Sequence, residues 1–182
     1  MTKQIDNLKR KIIHLTSAFI ICLFPYFFNL RLIIIICLVF SLIFLLARYY
    51  NFLYIINKVK RYSWGEVFYP LGIALSAIIF LPDNVLAFQF GVLVLGVSDF
   101  LANIIGDLFG KHRVEFLKGA KSLEGSLAFI LSTLILFSLF GQSSSWLILP
   151  FSFLLAVVEF ILFFGLDNLC LPALAAYLFT LI

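Results

Sequence analysis

Long apolar runs separated by short polar breaks dominate this chain and leave few folds open to it. A helix that crosses a bilayer core needs about 20 apolar residues, with about 17 to 25 tolerated. Segments near 12–29, 31–48, 67–82, 85–106, 123–140, 146–164 and 168–182 meet or approach that length. His14 and Pro25 interrupt the first, and the third and seventh are short, so six or seven spans are expected. Hydrophobic residues make up 64% of the chain and charged ones 12%, against about 25% charged in a typical soluble domain. That composition excludes an ordinary water-facing surface. The expected fold is all-α, a polytopic transmembrane helical bundle, with residues 1–182 forming one integral-membrane domain. A basic start followed by an apolar run also suits a signal peptide. No small-x-small cleavage site follows Phe28, however, and further spans come after, so a retained first helix is expected.

The basic residues give the expected orientation. Lys3, Lys9, Arg10 and Lys11 precede the first span, and Arg48, Lys58, Lys60 and Arg61 separate the second from the third. Lys111, Arg113, Lys118 and Lys121 separate the fourth from the fifth, while only Arg31 falls on the other side, with Asp83 and the uncharged loop 141–145. The positive-inside rule makes the amino terminus and the basic loops cytoplasmic in a multi-pass membrane protein. The net charge of +4 follows this topology and implies no nucleic-acid partner, since no basic groove interleaved with aromatics is present. Cys22, Cys37 and Cys170 lie in apolar segments without CxxC or metal-ligand spacing and read as small core residues.

The segment 99–126 carries the chemistry. Asp99, Asn103 and Asp107 recur every four residues and share a helix face, as do Gly106 and Gly110. An Asp facing lipid costs about 2.5–3.5 kcal/mol on insertion scales, so Asp99 is expected to face the bundle or a wet cavity. Two readings fit this helix: a magnesium- or phosphate-handling carboxylate, or a glycine-lined helix crossing with a buried, hydrogen-bonded Asp. Beyond it, Lys111, His112, Arg113, Lys118 and Lys121 surround Gly110, Gly119 and Gly125. Cations and approachable backbone amides suit a polyphosphate. Ser122 is placed to cap the fifth helix, and Glu124 in its first turn either stabilises the helix or holds a metal. Gly106-x-x-x-Gly110-Lys111-His112 is not a Walker A loop, being one residue short and lacking Ser or Thr after the Lys.

Three further clusters lie on the same expected side: Arg10-Lys11-x-x-His14, the stretch Ser63 to Pro70 containing Glu66, and Glu159 with Asp167-Asn168. Each alone reads as positive-inside charge, helix entry or helix stop. Together they put nearly every acid except Asp6 and Asp83 within reach of one cytoplasmic membrane face.

Taken in order, Arg10-Lys11-x-x-His14, Gly65-Glu66 with Pro70, Asp99-x6-Gly106-x3-Gly110-Lys111, Lys121-Ser-x-Glu-Gly-Ser126 and Asp167-Asn168-x3-Pro172 resemble the CTP-dependent lipid kinases. That family holds dolichol kinase, phytol kinase and the yeast-type diacylglycerol kinase. The resemblance runs from about residue 9 to 175. Leu166 stands where family members often have a first acid of a pair. A more distant likeness is to phosphatidate cytidylyltransferases, whose longer Lys-Asp and His-Gly-Gly signature this chain lacks. The resemblance implies transfer of the γ-phosphoryl group of CTP, with Mg²⁺, to a membrane-embedded polyprenol, phytol-like alcohol or diacylglycerol at the cytoplasmic face. It implies Asp99, Lys121 and Glu124 as catalytic candidates, Asp99 binding Mg²⁺ or orienting the hydroxyl, with Asp107 and Asp167 as further metal candidates. Arg10, Lys11, Lys111 and Lys121 would neutralise phosphates, Gly106 and Gly110 would allow close approach, and Ser122 would join the phosphate site. His14, Glu66, Asn103, Glu159 and Asn168 complete the candidates. The rival readings are transfer of CMP to a lipid phosphate and a non-enzymatic membrane transport protein.

Overall fold

Polar residues at the breaks between apolar runs become helix caps. The computed structural model describes residues 2–50, 64–116, 119–142 and 144–182, with side chains from residue 11 onward except those of 115, 116 and 119. Helix α1 (Thr2–Phe27) ends just past Pro25, and Asn29 starts α2 (Leu30–Tyr49) by accepting from the Leu32 N–H at 2.9 Å. Asn84 does the same between α3 (Gly65–Phe80) and α4 (Val85–Phe109), accepting from Ala87 N–H at 2.9 Å. A side-chain oxygen in this position satisfies one of the orphan donors of the first turn. A β-hairpin comes next, β1 (Arg113–Phe116) antiparallel to β2 (Gly119–Ser122), with Arg113 opposite Ser122 and Val114 opposite Lys121. Then come α5 (Leu123–Leu139), α6 (Ile148–Ile161) and α7 (Leu166–Thr180).

Each of the seven apolar segments is thus helical among the described residues, and the fold is all-helical apart from the hairpin, which the sequence presents only as a glycine-rich loop. Length separates the helices. Among the described residues only α2 and α4, of 20 and 25 residues, are long and apolar enough to cross a membrane. The apolar part of α1, Lys11–Phe27, and the remaining helices have 14 to 17 residues, a rise of about 21–26 Å against a hydrocarbon core of about 30 Å. The window 146–164 ran longest over its helix because it took in flanking turn residues: the helix is only 148–161.

Helix α4 is the centre of the packing. Of its most apolar window 61% is buried, against 22% for α2. Phe88 and Phe90 are fully buried on it, and the Phe90 ring lies 4.4 Å from Phe137 of α5 and 4.9 Å from Phe179 of α7. Helix α2, with a mean hydropathy of 3.0, leaves most of its side chains outside the core. A helix apolar on every face and buried on one needs an apolar surrounding for the rest.

Small residues set the closest approaches. A Cβ on Gly72 would collide with the Asn168 and Leu169 carbonyls of α7, and one on Gly96 with the Ala18 methyl of α1. Glycine there lets helix backbones touch. Gly72→Ala should destabilise the protein by about 1–3 kcal/mol through overpacking, read as a lowered thermal unfolding midpoint in detergent; an unchanged midpoint would contradict the α3–α7 contact.

Candidate functional site

Successive helices alternate in direction. The start of α1, the ends of α2 and α4, the hairpin, the end of α6 and the start of α7 therefore meet at one pole. Arg48 at the end of α2 lies 4.4 Å over the Trp64 ring before α3, and Asn168 donates to the Gly65 carbonyl at 3.0 Å. A cavity of about 690 Å³ opens among these ends.

Asp99 is delivered to this cavity by a break in helix periodicity. Residues 94–98 form a π turn, in which the Asp99 N–H donates to the Val94 carbonyl, five residues back. Such a turn inserts one residue into a helix and re-aims the side chains beyond it. Asp99, Ala102, Asn103, Gly106 and Asp107 then line the cavity together. Asn103 donates from Nδ2 to Asp99 Oδ1 at 2.9 Å and to the Asp99 carbonyl at 2.8 Å, steadying the carboxylate. The side chain at 99 is buried, as its cost in lipid demands.

Two other acids reach the same point from different helices. Asp99, Glu159 of α6 and Asp167 of α7 each present a carboxylate oxygen, all within 4.8 Å of one another. One divalent cation can touch all three, and hard oxygen donors suit Mg²⁺ or Ca²⁺. Lys121 of β2 supplies the opposing charge, with Nζ 2.7 Å from Glu159 Oε1 and 3.7 Å from Asp167 Oδ2. It also donates to the carbonyls of Glu159 and Leu162, at the otherwise unsatisfied end of α6. The turn that places Asp167 is strained: Phe164 and Gly165 both have positive φ, 60° and 87°. A Cβ on Gly165 would strike the Gly65 backbone, so the sharp entry into α7 requires glycine.

The remaining candidates sort by their contacts. Lys11 Nζ pairs with Asp107 Oδ2 at 2.6 Å, tying α1 to α4 at the cavity's rim. Asp107 therefore stands in its own ion pair, apart from the three-acid cluster. Glu124 also stands apart, accepting from the His112 backbone N–H at 3.1 Å and lying 2.8 Å from its Nδ1. Ser122 caps α5 by accepting from Gly125 N–H at 3.0 Å. Space beside Gly106 and Gly110 is filled by Ser122, and that beside Gly125 by the Ala102 carbonyl. These glycines are thus explained by the seating of the hairpin on α4, without a ligand. His14 and Glu66 line the cavity, the His14 ring standing edge-on to Tyr69 at 3.8 Å. Asn168 serves the α3–α7 junction, and Lys111 is exposed. The side chains of Lys3, Lys9 and Arg10, and residues Lys58, Lys60, Arg61, Ser63 and Lys118, lie outside the described part.

Three participants carried no clear signal in the sequence. Tyr69 shares a 2.9 Å hydrogen bond with Ser17, joining α3 to α1 beside the site. Both looked like span residues; only their helix positions, three apart from Glu66 and His14, placed them near the cavity. Arg113 read as one more loop cation but donates to the Gly106 and Gly110 carbonyls, both at 3.1 Å, closing the end of α4.

The chain is 32% identical over 179 residues to an uncharacterized protein of Methanocaldococcus jannaschii, a match covering 93% of this chain and 90% of the relative. It is 30% identical over 125 residues to a phytol kinase of Synechocystis, covering 64% of the chain and 54% of that protein. Over 88 residues it is 39% identical to a dolichol kinase of Schizosaccharomyces pombe, covering 45% of the chain and 17% of that protein. The chain thus spans about half the length of the first kinase and under a fifth of the second. No family model matches it, and no solved structure matches it.

Lys121→Met removes the cation facing buried Glu159 and half-buried Asp167, which should cost about 3–5 kcal/mol. Millimolar Mg²⁺ should restore part of that loss in a thermal melt, and chelation should not. A variant whose melting is indifferent to Mg²⁺ would argue against a cation site among the three acids.

Proposed function

We propose that this chain is a phosphotransferase acting on lipid alcohols; it belongs to one family with the uncharacterized protein of Methanocaldococcus jannaschii, and its relatives named phytol kinase and dolichol kinase support a lipid-kinase assignment. The carrying observation is the polar pole of the cavity, where Asp99, Glu159, Asp167 and Lys121 meet within reach of one reacting group. Phosphoryl transfer asks little covalent chemistry of the protein and depends on positioning and charge stabilisation. Three acids able to hold a cation, with lysines beside them, fit that demand.

The proposed donor is CTP and the acceptor a lipid alcohol held in the bilayer. The acceptor hydroxyl oxygen bonds to the γ-phosphorus, the bond from that phosphorus to the β–γ bridging oxygen breaks, and CDP leaves. The hydroxyl proton passes to Asp99, whose Oδ1 is steadied by Asn103. Lys11 and Lys121, which line the cavity, and the exposed Lys111 between α4 and β1 offset the phosphate charge. Glu159 and Asp167, with Asp99 in reach, would hold Mg²⁺, which when bound neutralises charge on the phosphoryl oxygens. Of the basic residues whose side chains are described, Lys11, Arg48, Lys111, Arg113 and Lys121 sit at this same pole and Arg31 does not, which supports a multi-pass protein with a cytoplasmic active site.

Nucleotide labelled in the γ-phosphate should leave label in the lipid product, and nucleotide labelled in the α-phosphate should not. Label in the lipid from the α-phosphate alone would instead identify a cytidylyltransferase. Asp99→Asn should lower kcat about 10²- to 10⁴-fold with unchanged yield and melting temperature. Parallel loss of folded protein and activity would reduce Asp99 to a structural residue. Lys11→Ala should raise the KM for nucleotide more than that for the alcohol, measured by varying each substrate in turn.

A further inference from the structure

The cavity does not end at the acids. From Lys11 it continues along α1 to Phe24, thirteen residues or about 20 Å of helix rise. Along this arm Ile20 and Phe24 of α1 face Ile36, Phe40 and Phe44 of α2. The α2 residues recur every four positions and make one stripe. Cys37 and Ile73, 4% and 0% exposed, form the floor. The margin is open: Ile13, Ile20 and Phe40 line the cavity yet remain 66%, 58% and 51% exposed.

Three features restrict what fits here. Away from the pole the arm is walled almost wholly by hydrocarbon and aromatic carbon, so a nucleotide would lose its hydration there without replacement. Its walls are one face each of α1 and α2 over a floor that α3 completes, which makes a slot for one chain rather than a chamber for two. Its open margin lies between α1 and α2, and the exposed faces of α2 are themselves apolar and suit lipid.

We infer that the cleft between α1 and α2 is the seat of the acceptor's hydrocarbon, a single linear chain entering sideways from the bilayer, with its hydroxyl at the Asp99 end and its tail toward Phe24 and Ile36. This deepens the kinase reading by selecting single-chain alcohols over two-chain glycerides.

The test is a photolabel, which reads binding without turnover. The full chain, reconstituted in phosphatidylcholine vesicles, is irradiated with a long-chain primary alcohol carrying a diazirine near its methyl end, and labelled residues are mapped by mass spectrometry. Label should concentrate on residues 20–24 and 36–40. Unlabelled single-chain prenyl alcohols should compete for it, and diacylglycerol about tenfold less well. Ile20→Trp and Ile36→Trp, which fill the slot from opposite walls, should each reduce labelling about tenfold in monodisperse protein of unchanged helicity. Leu38→Trp, on an outward face of α2, should leave it unchanged. Label spread around α2 in proportion to exposure, equal competition by diacylglycerol, undiminished labelling of both slot variants, or a slot found sealed by a second copy in cross-linked dimers would overturn the inference. Confined label without phosphoryl transfer to any alcohol would leave the slot standing and remove the kinase reading. Transfer without confined label would do the reverse.

Discussion

The ammonium of Lys121 is the contact on which the site depends. Three carboxylates from three helices stand within 4.8 Å of one another, and without an opposing charge they would repel and force their helices apart. Lys121 reaches Glu159 and Asp167 and, in the same position, satisfies carbonyls at the end of α6. A single side chain thus joins the hairpin to α6 and α7 and partly neutralises the cluster. The proposed phosphoryl transfer exploits an electrostatic need that the fold already has.

The hairpin must in turn be held for Lys121 to reach inward. Its seat is the close meeting of Ser122 with Gly106 and Gly110 and of Gly125 with the Ala102 carbonyl. Arg113 locks the other strand to the end of α4, and Glu124 closes the loop on His112. Positions that resembled a phosphate loop are in large part the joints of this seat. Of the two readings of the 99–110 helix, the glycine-lined crossing with a buried, hydrogen-bonded Asp is what the packing displays, and Asp99 stands at the polar end of the cavity.

Much of the site was legible because lipid makes charge conspicuous. Asp99, Lys121, Glu159 and Asp167 stood out as ionisable groups in apolar sequence, and all four meet. Less legible was the grouping. Asp107 and Glu124 share segment and chemistry with Asp99, yet each has its own partner, Lys11 and His112. Spacing puts Asp107 on the helix face of Asp99, two turns further on, but cannot say that α1 brings a lysine there. Tyr69 and Ser17 were hidden for the opposite reason: polar tips on residues that otherwise resemble any span.

Hydropathy by itself determined where the helices lie, because every backbone group in an apolar segment must be bonded within it, and it singled out the few charges worth explaining. The tertiary structure alone decided which acids share a cation's reach, that 113–116 and 119–122 pair as strands, and that α1 and α2 stand apart enough to leave a slot. These depend on distances between segments remote in sequence: a π turn that re-aims Asp99, a strained turn that brings in Asp167, and glycines whose worth lies in what touches them. A linear sequence records each residue's cost of burial, but not the partner that offsets it.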